Sequence, residues 1–307
     1  MERFYQNTAV RTVLALVCCA LWGSAFPCVK IGYQLFHIEN AGSQILFAGY
    51  RFFLAGVFTF LLGCILERRI ITMKKASIPY VFGQGILQTT LQYVCFYIGL
   101  AHTTGAKGSV INASNAFFSI IAAHFLMKSE KLTWKKIAGC LVGFAGIIII
   151  NLEPGAWGSD FSFLGEGMVL VCACSYGLSS VTLKMISDKE KPVTITAYQL
   201  LFGGAVLILL GVVSGGSVYG FNIKSSLLLL YMSLLSTVAF SIWAELLKYN
   251  SVGRVAIFGF SIPVFGVGLS AIFLGEQVLS VKNLAALICV SVGIIIINRK
   301  GHGINAS

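Results

Sequence analysis

The chain has 307 residues, of which 57% are hydrophobic and 11% charged, with a formal net charge of +11. A soluble domain carries about 25% charged residues to cover itself in water, so this composition excludes soluble domains and leaves lipid as the surrounding medium. The positive charge sits in short clusters between apolar runs, such as Arg68, Arg69, Lys74 and Lys75, which points to an anionic membrane face rather than to nucleic acid.

Spanning a bilayer takes roughly 20 mostly apolar residues. The first such run, 11–32, follows Arg3 and Arg11 as a signal peptide would. It leads into Lys30 without a small-x-small cleavage pattern, and further spans follow, so it is expected to be a retained helix. It carries Trp22 and an internal Pro27. The second span, 43–66, holds Arg51 roughly eight residues in, about 12 Å deep at 1.5 Å per residue, and no acidic residue has a matching depth. Arg51 is either a counter-ion for a substrate carboxylate or phosphate, or an arginine that bonds backbone carbonyls or snorkels outward.

The third span, 78–100, opens at Pro79 and places Gln84, Gln88 and Gln92 four apart, which predicts one helix face. The fourth, 106–127, does the same with Asn112, Asn115 and Ser119. Amides in lipid need partners, so both faces are expected to turn inward, into interhelical hydrogen bonds or a wet cavity. The stripe is longer than packing alone needs, which favours a cavity lined by Gln88, Gln92, Asn112 and Asn115.

The remaining spans are 134–152, 163–186, 194–214, 225–247, 253–274 and 279–298. Pro154 and Pro192 fall in connections, and Pro263 falls inside the ninth span. Phe-Gly-Gly-Ala at 202–205 suits close helix packing. Tyr93, Tyr176 and Trp243 join Trp22 as aromatic candidates for the lining of a route. Glu245, with Lys248 three residues on, is either an interfacial ion pair or a proton-coupling carboxylate. Glu130 and Glu276 stand at span ends, where a structural role is expected. The nine cysteines all lie in apolar runs without a CxxC pair, so neither disulfide nor metal site is expected.

Ten spans put the N-terminus, the even-numbered connections and the C-terminus on one side. That side holds seventeen of the 22 Lys and Arg, against four on the other side and Arg51 within a span. The positive-inside rule then makes both termini cytoplasmic, in a multi-pass protein of the cell membrane.

The chain also repeats itself. GIIIIN occurs at 146–151 and at 293–298. Ser129-Glu130 with Lys135 matches Gly275-Glu276 with Lys282, and Trp22-Gly23 with Lys30 matches Tyr176-Gly177 with Lys184. Tyr50-Arg51-Phe52-Phe53-Leu54-Ala55-Gly56 matches Tyr198-Gln199-Leu200-Leu201-Phe202-Gly203-Gly204. Ordered matches at offsets near 150 residues predict two copies of a five-helix unit, residues 1–152 and 153–307. Five is odd, so the copies should cross the membrane in opposite senses around a midplane site.

Trp22-Gly23-Ser24-Ala25-Phe26 with Lys30, Arg51-Phe52-Phe53-Leu54-Ala55-Gly56 and Phe273-Leu274-Gly275-Glu276 resemble the EamA family of the drug/metabolite transporter superfamily. The resemblance covers both halves. It implies an all-α membrane protein of ten transmembrane helices, two inverted five-helix repeats around a central cavity. It also implies secondary transport of small metabolites, often export of amino acids or related compounds. Pro263 lies thirteen residues before Glu276, as the family pattern expects, while Phe117 stands at the matching distance before Glu130. A proline kink is thus implied for the ninth helix and none for the fourth.

The substrate-binding residues expected on these grounds are Trp22, Arg51, Gln88, Gln92, Asn112, Asn115, Tyr176 and Trp243, with Glu245 for coupling. No cofactor or catalytic residue is expected. The expected partners are a small-molecule substrate and the lipid bilayer, not nucleic acid, with a homodimer as an open alternative. An intramembrane enzyme is the alternative function, but Asp160 and Asp188 both lie in connections and no HExxH motif occurs. A passive channel is a further alternative, without a recognisable filter sequence.

Overall fold

The computed structural model describes residues 2–103, 111–150, 162–274 and 281–298. Among them every regular element is helical. The connections around Lys107, Pro154 and Glu276 lie outside the described residues. In lipid, backbone N–H and C=O groups must be satisfied within the segment, and uninterrupted apolar sequence does this as helix. Side chains supply the missing partners at helix starts. Asn7 Oδ1 accepts from Ala9 N at 2.9 Å, Asn40 Oδ1 from Ser43 N at 2.8 Å, and Asn222 forms a capping box with Ser225.

After a one-turn helix at Glu2–Gln6, α1 runs over Thr8–Leu35 and α2 over Ala41–Glu67. α3 (78–101) starts as Ile78–Gln84, widens to a π segment at Gly85–Leu91 and resumes at Gln92–Ala101. α4 is Ile111–Leu126, α5 Trp134–Ile150, α6 Phe163–Ile186, α7 Pro192–Val213 and α8 Ile223–Tyr249. α9 (252–274) comprises Val252–Ala256, a 3-10 turn at Ile257–Phe260 and Ser261–Leu274. α10 is Val281–Asn298. Helices α1, α2, α6, α7 and α8 are each long and apolar enough to cross a membrane. Large apolar side chains such as Ile65, Phe125, Val213 and Ile223 point out of the bundle, the reverse of a water-soluble surface.

The helices share two ends. At one, Tyr5 stacks on Tyr249, Arg11 bonds Asn250, Glu67 pairs with Lys191, and Glu190 accepts from Lys74 N. This end carries the lysine and arginine clusters and is called the basic end below. At the far end, Phe36 packs on Phe221, Ser43 Oγ accepts from Ser217 N, and Thr103 donates to Glu166.

A glycine seam joins α2 to α7. Gly42, Gly49, Gly56 and Gly63 stand seven apart and present one flat side. A Cβ at these positions would come within 2.7 Å of Ser214 O, 2.7 Å of Ile208 N, 2.5 Å of Leu201 N and 2.6 Å of the Ile71 side chain. As one helix rises the other descends, so α2 and α7 cross antiparallel. The same exchange recurs elsewhere. Gly23 of α1 abuts Phe265 and Gly266 of α9, while Gly177 of α6 abuts Phe118 and Ser119 of α4. These are the residues that the sequence repeat pairs, so each half packs on the other as the other packs on it.

Both helices that meet this pair of glycines are irregular. In α9 the helix tightens to a 3-10 turn just before Pro263. The fourth helix is interrupted too, at a residue the sequence did not single out. Ser114 interrupts α4 with its hydroxyl bonded to Ile111 O at 2.5 Å.

Candidate functional site

A cavity of about 330 Å³ lies between the halves, with walls from α1, α2, α3, α4, α6, α8 and α9. Lys30, Tyr33 and Gln44, close to the far end, form its mouth, and Lys30 is exposed there. Trp22, Tyr176, Asn115, Phe240 and Ile262 lie deeper. The volume is at the small end of the range for small-molecule sites, about 300–1,000 Å³.

The lining combines aromatic surface with a few polar groups. Trp22 meets Phe240 edge-on at 5.5 Å and Trp243 at 5.0 Å, and Tyr93 packs on Phe52 at 4.3 Å. Arg51 is 3% exposed. Its Nε donates to Ser236 Oγ at 3.0 Å, and its guanidinium lies 4.9 Å from the centre of the Phe52 ring. Glu130–Lys136 and Glu67–Lys191 are ion pairs of the described residues; neither reaches Arg51. Among the described residues the cavity lining carries two cations, Arg51 and Lys30, and no carboxylate. The Trp22 indole N–H and the Gln92 carbonyl oxygen are buried without a partner in the protein, one donor and one acceptor at the wall. Asn112 Oδ1 is 3.6 Å from the Cys172 thiol.

Of the residues singled out in the sequence, Trp22, Arg51, Gln92, Tyr93, Asn112, Asn115 and Tyr176 meet at this one cavity. Trp243 stands behind Trp22, fully buried, and does not touch it. Gln88 faces elsewhere. It accepts from Gln84 Nε2 at 3.0 Å, and Gln84 also donates to Ser179 O at 2.9 Å and accepts from Thr182. The π segment Gly85–Leu91 lies between them, and its i→i+5 bonding widens the turn so that Gln92, just beyond it, leaves the face that Gln84 and Gln88 still share. The amide stripe therefore splits, with Gln84 and Gln88 against α6 and Gln92 on the cavity. Glu245 is half-buried near the basic end beside Tyr5, Lys248 and Tyr249, away from the cavity.

Sequence reasoning passed over Tyr33, Gln44, Tyr97 and Phe240. The spacing of Tyr93 and Tyr97 by four, and of Lys30 and Tyr33 by three, could have shown that each pair shares a face.

At the basic end polar contacts tie the helices together. Arg11 donates to Asn250 Oδ1 at 3.1 Å and to Asn298 Oδ1 at 2.9 Å. Lys184 Nζ donates to Leu247 O at 2.9 Å and to Asn250 O. Glu130 Oε1 accepts from Val252 N at 2.5 Å.

A central cavity, open at one end and walled by two mutually packed halves, suits a solute carrier. Residues 11–152 and 163–299 each match the EamA-like transporter family. The chain belongs to this family. An uncharacterized transporter of Archaeoglobus fulgidus is 28% identical, over 94% of this chain and 98% of its own length. A probable amino-acid metabolite efflux pump of Escherichia coli is 25% identical, over 90% of this chain and 91% of its own. A solved crystal structure superposes with a TM-score of 0.79 at 16% identity, covering 94% of this EamA chain and 96% of that one, which speaks for the fold alone. The family and the named relatives are transporters, not enzymes.

Proposed function

We propose that this EamA protein is a secondary exporter of small organic metabolites, amino acids or related compounds. In this reading two inverted five-helix repeats, residues 1–152 and 153–307, alternate access to a midplane site, with both termini cytoplasmic. The observation that carries it is the cavity, whose floor takes Trp22 from one repeat and the equivalent Tyr176 from the other. A site shared by both repeats is what alternating access requires. The antiparallel glycine seam and the exchanged Gly23 and Gly177 contacts support the inverted relation. The amino-acid class rests on the name of the Escherichia coli relative. Arg51 would pair with the substrate carboxylate, while Trp22, Tyr93 and Tyr176 hold an apolar body.

The test is counterflow in proteoliposomes. Vesicles loaded with an unlabelled amino acid should accumulate the labelled compound transiently and with saturation. Linear, non-exchanging flux would speak for a channel instead. In the same vesicles Glu245→Gln is expected to abolish pH-driven uptake and spare exchange. Unchanged pH dependence would reduce Glu245 to an interfacial ion pair with Lys248.

A further inference from the structure

Three residue pairs of the repeat have different fates in this conformation. Trp22 and Tyr176 both touch the cavity floor. Lys30 and Arg51 both line the open cavity. Of their equivalents, Lys184 is half-buried and held by backbone carbonyls, and Gln199 lies away from the cavity. Gln199 is fully buried, and neither its amide nitrogen nor its carbonyl oxygen has a partner among the described residues.

Gln199 is not an isolated case. It sits on the seam between α7 and the π segment of α3, where a Cβ at Gly85 would lie 2.9 Å from Gln199 O and one at Gly203 2.5 Å from Thr89. On the same two segments the Thr89 and Thr196 hydroxyls are buried and unpartnered as well. Dry, well-packed interiors leave few such groups, because each loses its hydrogen bonds to water and gains nothing in return. A cluster of them marks a place built to be wet at some other time.

At the basic end the helices are tied to one another by polar contacts. The Lys184 ammonium is held by the carbonyls of Leu247 and Asn250 at the end of α8, where a helix favours positive charge. Arg11 and Glu130 hold the same short connection through the Asn250 side chain and Val252 N. Three charged side chains, from α1, from α6 and from the connection after α4, thus converge on residues 250–252.

We propose that Gln199 and Lys184 are the counterparts, at the basic end, of Arg51 and Lys30, and that a second vestibule opens around Gln199 when Lys184 releases α8. This rests on the alternating-access reading above. In that vestibule the Gln199 amide meets the substrate group that Arg51 meets on the other side, with a neutral donor in place of a cation. Thr89 and Thr196 gain water. Gln199 thereby becomes a substrate-contacting residue of the opposite state.

Hydrogen exchange read by mass spectrometry on the full chain in nanodiscs tests this without knowledge of the substrate. Lys184→Met should raise exchange several-fold in peptides over 194–202 and 246–252, and should lower it over 28–46 as the far mouth closes. Lys184→Arg, which keeps the donors, should match the parent protein. Should Lys184→Met not fold, Glu130→Ala releases the same connection through Val252 and carries the same expectation. A rise at 194–202 without protection at 28–46 would mean local loosening only and would overturn the proposal, as would no change at either place. Counterflow by the parent protein judges the transport reading separately. If it persists while the exchange pattern fails, only the role of Gln199 and Lys184 falls.

Discussion

Gly56 and Gly204 stand at equivalent positions of the two repeats and face each other's helix across the same seam. A Cβ at Gly56 would lie 2.5 Å from Leu201 N, and one at Gly204 would press on Phe53 N. The obstructing atoms are backbone, so no rotamer change can relieve the overlap. Gly204→Val should therefore destabilise the protein by about 3 kcal/mol, at or above the upper end for overpacked cores. Gly83, in α3, has nothing within 4 Å of a Cβ. Gly83→Ala should instead stabilise by about 0.5–1 kcal/mol through helix propensity. Thermal unfolding in detergent separates the two. Equal effects would mean that the seam is not tightly packed.

Arg51 combines deep burial, a single hydrogen bond to Ser236 and an open cavity in front of it. A guanidinium in that setting is stabilised by an anion far more than one in water would be. Arg51→Gln should weaken binding of carboxylate ligands at least about tenfold, or 1.4 kcal/mol, and leave their amides or esters nearly unaffected. Arg51→Lys should not restore full binding, because a point charge cannot keep both the Ser236 bond and a forked contact. Ligand-induced shifts in melting temperature read both. An equal loss for neutral and anionic ligands would assign Arg51 to packing.

Gln88 and Gln92 look alike in sequence and should behave differently. Gln88→Ala removes the acceptor for Gln84 in a buried contact and should lower stability by about 1–3 kcal/mol while sparing binding. Gln92→Ala takes away an unpartnered oxygen at the cavity wall and should weaken binding while costing little stability. Denaturation and ligand-shift curves on both variants decide it, and the reverse pattern would put the π segment in doubt.

These two glutamines also mark where the sequence stops being legible. Helical class, membrane setting, the repeat and seven of the cavity residues follow from apolar length, matched segments and the expense of amides in lipid. A four-residue spacing assumes a regular helix, and nothing in Gly85-Ile86-Leu87 announces the wider turn that parts Gln88 from Gln92. Ser114 is likewise silent, because a serine interrupts a helix only in some settings, here with its hydroxyl bonded back to Ile111 O. Tyr97 and Phe240 look like core residues, and only the packing of α8 beside α1 turns them into a wall. Gln199 read as an ordinary repeat match to Arg51, and its meaning came from a burial that sequence cannot express.

Orientation follows from charge and carries the last prediction. Arg68, Arg69, Lys74, Lys75, Lys189 and Lys191 gather at the basic end, while the far end holds Lys30 at the cavity mouth and Lys224 at the start of α8. Translocating such clusters is unfavourable, so they are expected to stay in the cytoplasm. The cavity then opens outward, and the Lys184 contacts close its inner side. In a cysteine-free variant, Thr72→Cys and Tyr219→Cys are both solvent-exposed, one near each end. A membrane-impermeant thiol reagent added to intact cells should label position 219 and leave position 72 unlabelled until the cells are opened. Labelling of 72 from outside would reverse the assignment. The outward cavity would then become an inward one, and the direction of every step proposed for Arg51 and Gln199 would exchange.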